Sequence, residues 1–358
     1  MQIKTVTLQN LIRKVSKCGT NRNIGITEYY YLEGGKGKLS ITATDGVNYI
    51  EASVKEDCES IDVIVQSETF SKIVDKTTKE IIELSVNEDH LELKGNGTYK
   101  VPIFVGEDYP TPDYSKFDDV VGFNVGIDDL KSIITVNKAA VSNSPTGGAL
   151  NGYLITPNGT VTTDERRICF NDRVKSEEPI LLSKEIVNLM STITDLDVTI
   201  KYSKGQILVE SENSKIVGTE LEGKETYPDT SAIVEQMNNV TNVCKINKSV
   251  VVKALERLAI FISPFDKSEL VMIAEDDFIQ FETFEDSFEI VNLANKLDDS
   301  IEIVINSTNL KELLNGLPNE DVKLGFVSDI FITLEQPHIK VVLATCEQKN
   351  PLILGEFI

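Results

Sequence analysis

Apolar and polar positions recur along this chain with one spacing, three times over. In each copy an apolar-rich run ends at a serine, and apolar residues follow at +3, +6 and +7. The copies are IDVIVQSETFSKIV (Ser67, Phe70, Ile73, Val74), PILLSKEIVNLM (Ser183, Ile186, Leu189, Met190) and IEIVINSTNLKELL (Ser307, Leu310, Leu313, Leu314). The run before the serine predicts a strand, and the later set predicts one buried stripe of a helix. The serine between them reads as a helix N-cap, accepting bonds from orphan N–H groups. The three serines lie 116 and 124 residues apart, so the period is about one third of the chain.

The rest of each third repeats as well. An amphipathic helix opens each one, with stripes at Leu8, Leu11, Ile12 and Val15, then Leu130, Ile133, Ile134 and Val141, then Val251, Ala254, Leu255, Leu258 and Ile262. Strand material follows in KLSITATDGVNYIEASV, GTVTTDERRICFNDRV and FIQFETFEDSFEIVNLA, and two alternating strands close each third. The first two thirds end alike, at GEDYPTPD (Tyr109, Pro110) and EGKETYPDT (Tyr227, Pro228). The predicted helices span 8–20, 67–79, 127–141, 183–194, 247–262 and 307–316, and the order in each third is β-α-β-β-β-α-β-β. This is an α+β chain of three tandem repeated domains, 1–117, 118–238 and 239–358. Each carries mostly antiparallel strands and two helices that can share a sheet face. The Pro/Asp-rich stretch 111–119 and the polar QMNNVTN (236–242) mark the boundaries.

Charge changes the picture twice. There are 35 Lys+Arg against 57 Asp+Glu, a net of −22, which by itself argues against a phosphate-bearing partner. The six predicted helices, however, carry 13 basic and 7 acidic side chains, +6, leaving −28 on strands and loops. Arg13, Lys14 and Lys17 fall opposite an apolar stripe. Lys72, Lys76 and Lys79 share a face, as do Lys253 and Arg257, and Lys131 and Lys138 sit two turns apart. Helices on one face would thus present a basic surface on an acidic body, suited to sequence-neutral phosphate contact.

Candidate chemistry is sparse. Two histidines (His90, His338) and five scattered cysteines without a CxxC leave no expected metal site and no Ser-His or Cys-His device. The acidic runs Asp118-Asp119, Glu275-Asp276-Asp277 and Asp298-Asp299 could suggest a metal-dependent hydrolase, but they fall in expected loops and read as solvated turns. No cofactor and no enzymatic activity are expected. No run approaches the ~18 residues of a membrane helix, and the first residues lack the apolar core of a signal peptide, so a reduced, cytoplasmic protein with no membrane partner is expected.

These residues resemble a known family, the bacterial DNA polymerase III β subunit or DNA sliding clamp. LSITATDGVNYIEASV is similar to its "L-x-A-T-D-x-x-x-x-I" strand pair, LNGYLI followed by TTDERRI to its "L-N-G…A-T-D-G-H-R-L", and EGKETYPD to its "E-G-x-F/Y-P-D". With the triplication, the likeness covers residues 1–346. The resemblance implies the clamp fold, with sheets outside and helices on the inner face of a ring. Two head-to-tail subunits would encircle duplex DNA and tether a replicative polymerase without catalysis. Twelve helices spaced about 10 Å apart leave a hole of roughly 28 Å. It implies a polymerase and a clamp loader as partners that bind through short peptides. It also implies that Arg22 points at DNA, and that Thr163, Arg167, Ile168, Leu343 and Ala344 line the partner-peptide pocket. Strand packing for Thr163 and Ile168, and a surface ion pair for Arg167, stand beside that reading. The chain departs from the family pattern at Glu165-Arg166, where the family has Gly-His, and in running on past Cys346. That extension, with Gln348, Leu352, Leu354 and Phe357, loosely looks like a peptide that clamps receive; a packed final strand is the alternative. The divergence would suit a phage or plasmid clamp. An acidic three-domain scaffold that binds proteins and no DNA would share the repeat, though not the basic helix faces.

Overall fold

In the computed structural model each third of the chain runs strand, helix, four strands, helix, three strands. The structure describes all residues except 22, 57–59, 106–108, 264, 266 and 347–358. The first third comprises β1 (Gln2–Lys4), α1 (Thr5–Val15), β2 (Tyr29–Gly35), β3 (Lys38–Thr44), β4 (Tyr49–Lys55), β5 (Ile61–Gln66), α2 (Ser67–Lys76), β6 (Ile81–Val86), β7 (His90–Lys94) and β8 (Thr98–Val105). The second comprises β9 (Phe123–Gly126), α3 (Ile127–Val136), β10 (Gly152–Thr156), β11 (Gly159–Thr163), β12 (Arg167–Asn171), β13 (Ile180–Ser183), α4 (Lys184–Met190), β14 (Asp197–Ser203), β15 (Gln206–Glu210) and β16 (Ser214–Thr219). After α5 (Ser231–Asn238), the third comprises β17 (Val243–Asn247), α6 (Lys248–Leu258), β18 (Glu269–Glu275), β19 (Phe278–Glu282), β20 (Phe288–Asn292), β21 (Ile301–Asn306), α7 (Ser307–Gly316), β22 (Asp321–Val327), β23 (Phe331–Gln336) and β24 (Ile339–Ala344).

Each third therefore holds eight strands where the pattern predicts six. The additional ones are β2, β10 and β18, and the closing β8, β16 and β24. Glycines in β2, β10 and β16 and Pro102 in β8 interrupt the alternation by which a strand is recognised. Five helices are shorter than predicted: α4 and α6 end at Met190 and Leu258, and the chain leaves α1 before Lys17, α2 before Lys79 and α3 before Lys138, which sits in a 3-10 turn, Asn137–Ala140. Three residues of the polar stretch 236–242 belong to α5, anchored by buried Met237.

Only one of the three repeated serines is an N-cap. Ser183 accepts from the Ile186 N–H at 3.2 Å. Ser67 and Ser307 instead sit inside the first turn and donate backwards, to the carbonyls of Glu28 (2.8 Å) and Ser268 (2.7 Å). Those carbonyls lie just ahead of β2 and β18, so the serine ties the helix to the strand that opens each sheet. The capping of α7 falls to Asn306, whose side chain accepts from the Asn309 N–H at 2.9 Å.

The chain folds as two compact bodies, Met1–Leu130 with Leu182–Leu221, and Lys131–Leu181 with the chain from Glu222 on. The first holds a twelve-stranded sheet, β1-β6-β7-β8-β5-β2-β3-β4-β16-β15-β14-β9. Leu8, Leu11, Ile12 and Val15 of α1 and Phe70 and Val74 of α2 are buried, and α1 packs on β3, β4 and α2. The second holds the order β13-β10-β11-β12-β24-β23-β22-β17 and a four-stranded sheet, β20-β19-β18-β21. There the stripes of α6 and α7 (Val251, Leu255, Leu258, Leu310, Leu314) share one core with Leu270, Met272 and Phe281.

One construction occurs in both bodies. In the first, β4 pairs antiparallel with β16, the closing strand of the next repeat, setting Tyr49 against Val217, Ile50 against Ile216 and Glu51 against Lys215. In the second, β12 pairs with β24, setting Ile168 against Val342, Cys169 against Val341 and Phe170 against Lys340. In both bodies the fourth strand of one repeat thus joins the last strand of the repeat after it. No helix among the described residues is long and apolar enough to cross a membrane.

Candidate functional site

The basic side chains are placed unevenly. Arg13 is exposed in the last turn of α1 and reaches Asn10 Oδ1 at 3.2 Å; half-buried Lys14 donates to Ser214 Oγ at 3.3 Å. Lys17, Lys131, Lys138 and Lys253 are exposed. Others hold carboxylates: Lys72 bonds Glu68 one turn away at 2.5 Å, Lys76 lies 3.6 Å from Asp75, and Arg257 grips Glu289 of β20 through two bonds of 2.6 and 2.8 Å. The Arg257 bonds hold the Glu289 carboxyl below its ordinary range. The α-helices standing for the six predicted ones carry ten basic and seven acidic side chains, so the helical excess is +3 and not +6. The other three charges stand just beyond helix ends. Arg22 lies outside the described residues.

The Thr-Asp motifs form matching turns. In the first body the Asp45 carboxylate accepts from the Val47 and Asn48 N–H groups (2.9 and 2.7 Å), and the Gly46 N–H donates to Thr44 Oγ1 at 3.0 Å. In the second, Asp164 accepts from Arg166 and Arg167 N–H (3.1 and 2.7 Å), and the Glu165 N–H donates to Thr163 Oγ1 at 3.1 Å. The third position is left-handed in both, φ +93° at Gly46 and +71° at Glu165. An aspartate is needed because one short acceptor must reach two consecutive amides.

The tyrosines of the two YP motifs serve these turns. The Tyr227 hydroxyl accepts from Thr163 N–H at 3.1 Å and donates to the Val161 carbonyl at 3.3 Å. The paired ladder of β10 and β11 ends at Leu154 and Val161, so the phenol satisfies backbone groups that β10 leaves open. Tyr109 donates to the Tyr29 carbonyl at 3.3 Å and stands near the Thr44 N–H. Burial pushes both phenols above their ordinary pKa, so each stays a protonated donor.

The five residues implied for a partner pocket all lie on β11, β12 and β24 or at their ends, yet on two faces. Side chains alternate along a strand. Thr163 and Ile168 are paired, and both share a face with Val161, Phe170 and, beside Ile168, Val342 and then Ala344. Arg167 and Leu343, also paired, take the other face. Leu343 is 1% exposed within the core. Arg167 is held by Asp164 (2.7 Å) and by Glu312 of α7 (2.5 Å). Burial works against its charge, but these two carboxylates more than offset that and hold it protonated.

The Thr163 face continues into a groove of about 660 Å³, whose apolar walls are Leu154, Val161, Phe170, Tyr227, Pro228 and Val234. Sequence reasoning missed these as a site. Tyr227 and Pro228 had stood out only as a repeat ending, while the pairing of Val161 with Phe170 was the available signal. Among the described residues no group of three His, Cys, Asp or Glu could hold a metal ion.

Comparison with known proteins bears on both the fold and the first domain. Residues 1–113 match the family described as DNA polymerase III beta subunit, N-terminal domain. No curated protein sequence matches the chain. The DNA polymerase sliding clamp from Bacillus subtilis is 18% identical with a TM-score of 0.83, over 97% of this chain and 98% of that one. A sliding clamp from Pseudomonas aeruginosa bound to griselimycin is 17% identical with a TM-score of 0.85, over 97% and 99%. The Helicobacter pylori beta clamp bound to a DNA ligase peptide is 17% identical with a TM-score of 0.82, over 97% and 99%. The fold is that of the sliding clamps.

Proposed function

We propose that this chain is a DNA sliding clamp of the DNA polymerase III β-subunit family. It acts as a non-catalytic processivity factor that encircles duplex DNA and tethers a polymerase, with domains at 1–117, 118–238 and 239–358. The observation that carries this reading is the repeated seam. The strand that β4 and β12 supply in the first two repeats is β20 in the third, and its free edge has no partner among the described residues. The closing strand that β16 and β24 supply is β8 in the first repeat, whose Thr98–Val101 stretch is paired, among the described residues, only with β7. A second copy completes the series in trans, β20 of one chain on β8 of the next.

The register of that third seam follows from the other two. Lys215 and Lys340 occupy one place in their seams, and Lys100 occupies it in β8, one residue before a buried valine or isoleucine in each. The equivalence sets Lys100 against Ile290 and Val101 against Glu289. Phe288 and Ile290 are 57% and 51% exposed on the edge strand, a liability unless another strand covers them. Such head-to-tail pairing closes into a ring only when the rotation closes. Two copies, about 80 kDa from 39.7 kDa each, satisfy the twelve-helix lining.

Inside the ring, Arg13, Lys14, Lys17, Lys131, Lys138 and Lys253, which hold no carboxylate among the described residues, supply weak, sequence-neutral phosphate contacts, while the acidic remainder repels DNA elsewhere. The groove beside Tyr227 suits a short apolar peptide from the polymerase or loader, as the peptide-bound Helicobacter relative illustrates. The test is topological: protein loaded on closed circular DNA should stay bound and be lost when one cut linearises it. Equal loss from both forms would sink the reading.

A further inference from the structure

Both bodies carry the same three-strand face beneath the tyrosine of a YP motif. The chain closes that face in the first body and leaves it open in the second. Tyr31 and Leu154 occupy one place, each paired with the residue two before the turn threonine: Tyr31 with Thr42, Leu154 with Val161. Glu51 and Phe170 are the next residues across, opposite Thr42 and Val161. In the first body the Tyr31 ring stacks on Tyr109, with centroids 5.6 Å apart and planes 23° from parallel. Lys38 Nζ, from the same hairpin, reaches Glu51 Oε1 at 2.8 Å. A ring on the tyrosine and a lysine on a carboxylate thus close this face.

The second body lacks both parts. Leu154 stands where Tyr31 stands. Its hairpin closes at Thr156–Gly159, two residues past Leu154, whereas the first closes at Gly35–Lys38, four past Tyr31, so the place of Lys38 does not exist. What remains is the groove of about 660 Å³ walled by Leu154, Val161, Phe170 and Tyr227. Glu225, Asp229 and Glu235 also line it, and among the described residues none of the three holds a cation. Hydrogen bonds from Ser231 hold the Asp229 carboxyl below its ordinary range, so it stays charged. Lys224, the one cation among the described lining residues, is already engaged.

We infer that the groove selects a peptide that brings the two missing parts: an aromatic side chain to stack on Tyr227, and a lysine or arginine beside it to meet Glu225, Asp229 and Glu235. This rests on the reading of the groove as a peptide site and adds the chemistry of the partner. A stacked ring pair contributes beyond the area it buries. The carboxylates act mainly on choice of partner, because they attract a basic flank and repel an acidic one. Leu154 determines the specificity, since a ring at its place closes the face, as Tyr31 does in the first body.

Fluorescence anisotropy on the full chain tests this with three labelled hexapeptides, KKGYGL, EEGYGL and KKGAGL. The first should bind about tenfold more tightly than either of the others. Salt raised from about 0.05 to 0.5 M should shrink its advantage over the acidic peptide and not its advantage over the alanine one. Glu225→Gln with Glu235→Gln, both at exposed positions, should remove most of the preference for lysine and keep the preference for tyrosine. Leu154→Tyr should weaken the first peptide about tenfold, with the melting midpoint of the chain held. Equal affinity for the basic and acidic peptides, equal affinity for the tyrosine and alanine peptides, undiminished binding by Leu154→Tyr, or binding of no peptide would each overturn the inference. Retention of the unaltered protein on closed circular DNA judges the clamp reading separately, because no DNA enters these titrations.

Discussion

The turn at Thr44–Asn48 and the turn at Thr163–Arg167 have the same scaffold and end differently. In both, the aspartate gathers two amides and the threonine a third. The last side chain of the first turn, Asn48, folds back and donates to Asp45 Oδ2 at 2.9 Å, buried at 5% exposure. The last side chain of the second, Arg167, donates to Asp164 Oδ2 at 2.8 Å and extends to Glu312. The shared part is architecture, and the Thr-Asp pair is present for that reason. The difference lies in what the turn reaches: its own loop in the first body, a neighbouring helix in the second.

Five substitutions would break or sharpen that comparison. Asp164→Ala should cost about 3 kcal/mol, since two amides and Arg167 lose a charged acceptor. Asp45→Ala should cost less, because no cation depends on it. Urea titrations that rank the pair the other way would show that Arg167 adds nothing to its turn. Next, Gly46→Ala should cost about 2 kcal/mol, because the position is left-handed and a new Cβ would stand 2.6 Å from Ile24 Cδ1. Thermal melts would show it as a lowered midpoint. Tyr227→Phe should cost about 1–2 kcal/mol by orphaning Thr163 N–H and Val161 C=O, with faster amide exchange at Thr163 as its signature. The smallest effect runs in the opposite direction. Glu165→Gly relieves the left-handed strain and should gain about 0.5 kcal/mol after the entropy glycine adds to the unfolded chain. A loss there would mean Glu165 makes a contact worth more than the strain.

The buried thiols offer a pH check on both bodies. Burial pushes Cys18, Cys169 and Cys244 up to about 12 from the ordinary 9.0. The folded state therefore holds these protons more tightly, so its advantage is complete below pH 9 and is lost as pH rises towards 12. At pH 8 the three should resist iodoacetamide in the folded protein and react after urea, as mass spectrometry would record.

The triplication was legible because helix stripes and edge-to-helix serines repeat at a readable period. The roles of those serines were less so: whether a hydroxyl caps its own helix or ties down a distant carbonyl depends on where the chain 39 residues earlier has been brought. The pocket residues show the same limit. Thr163 and Arg167 are neighbours in sequence and on opposite faces in space, because a strand assigns faces by hairpin register, and one position of slip reverses every side chain. The basic helix faces were legible as charge but not as partners, since Glu289 reaches Arg257 from another strand.

The seams also have a kinetic meaning. Where β4 meets β16, or β12 meets β24, both strands belong to one molecule, so a seam that parts faces an effective concentration fixed by the intervening chain and recloses at any dilution. In the proposed ring, the seam between β20 and a second copy would have no such tether. Its gates would be of unequal character: two in each chain that shut themselves, and one between chains whose opening would be governed by how much protein is present.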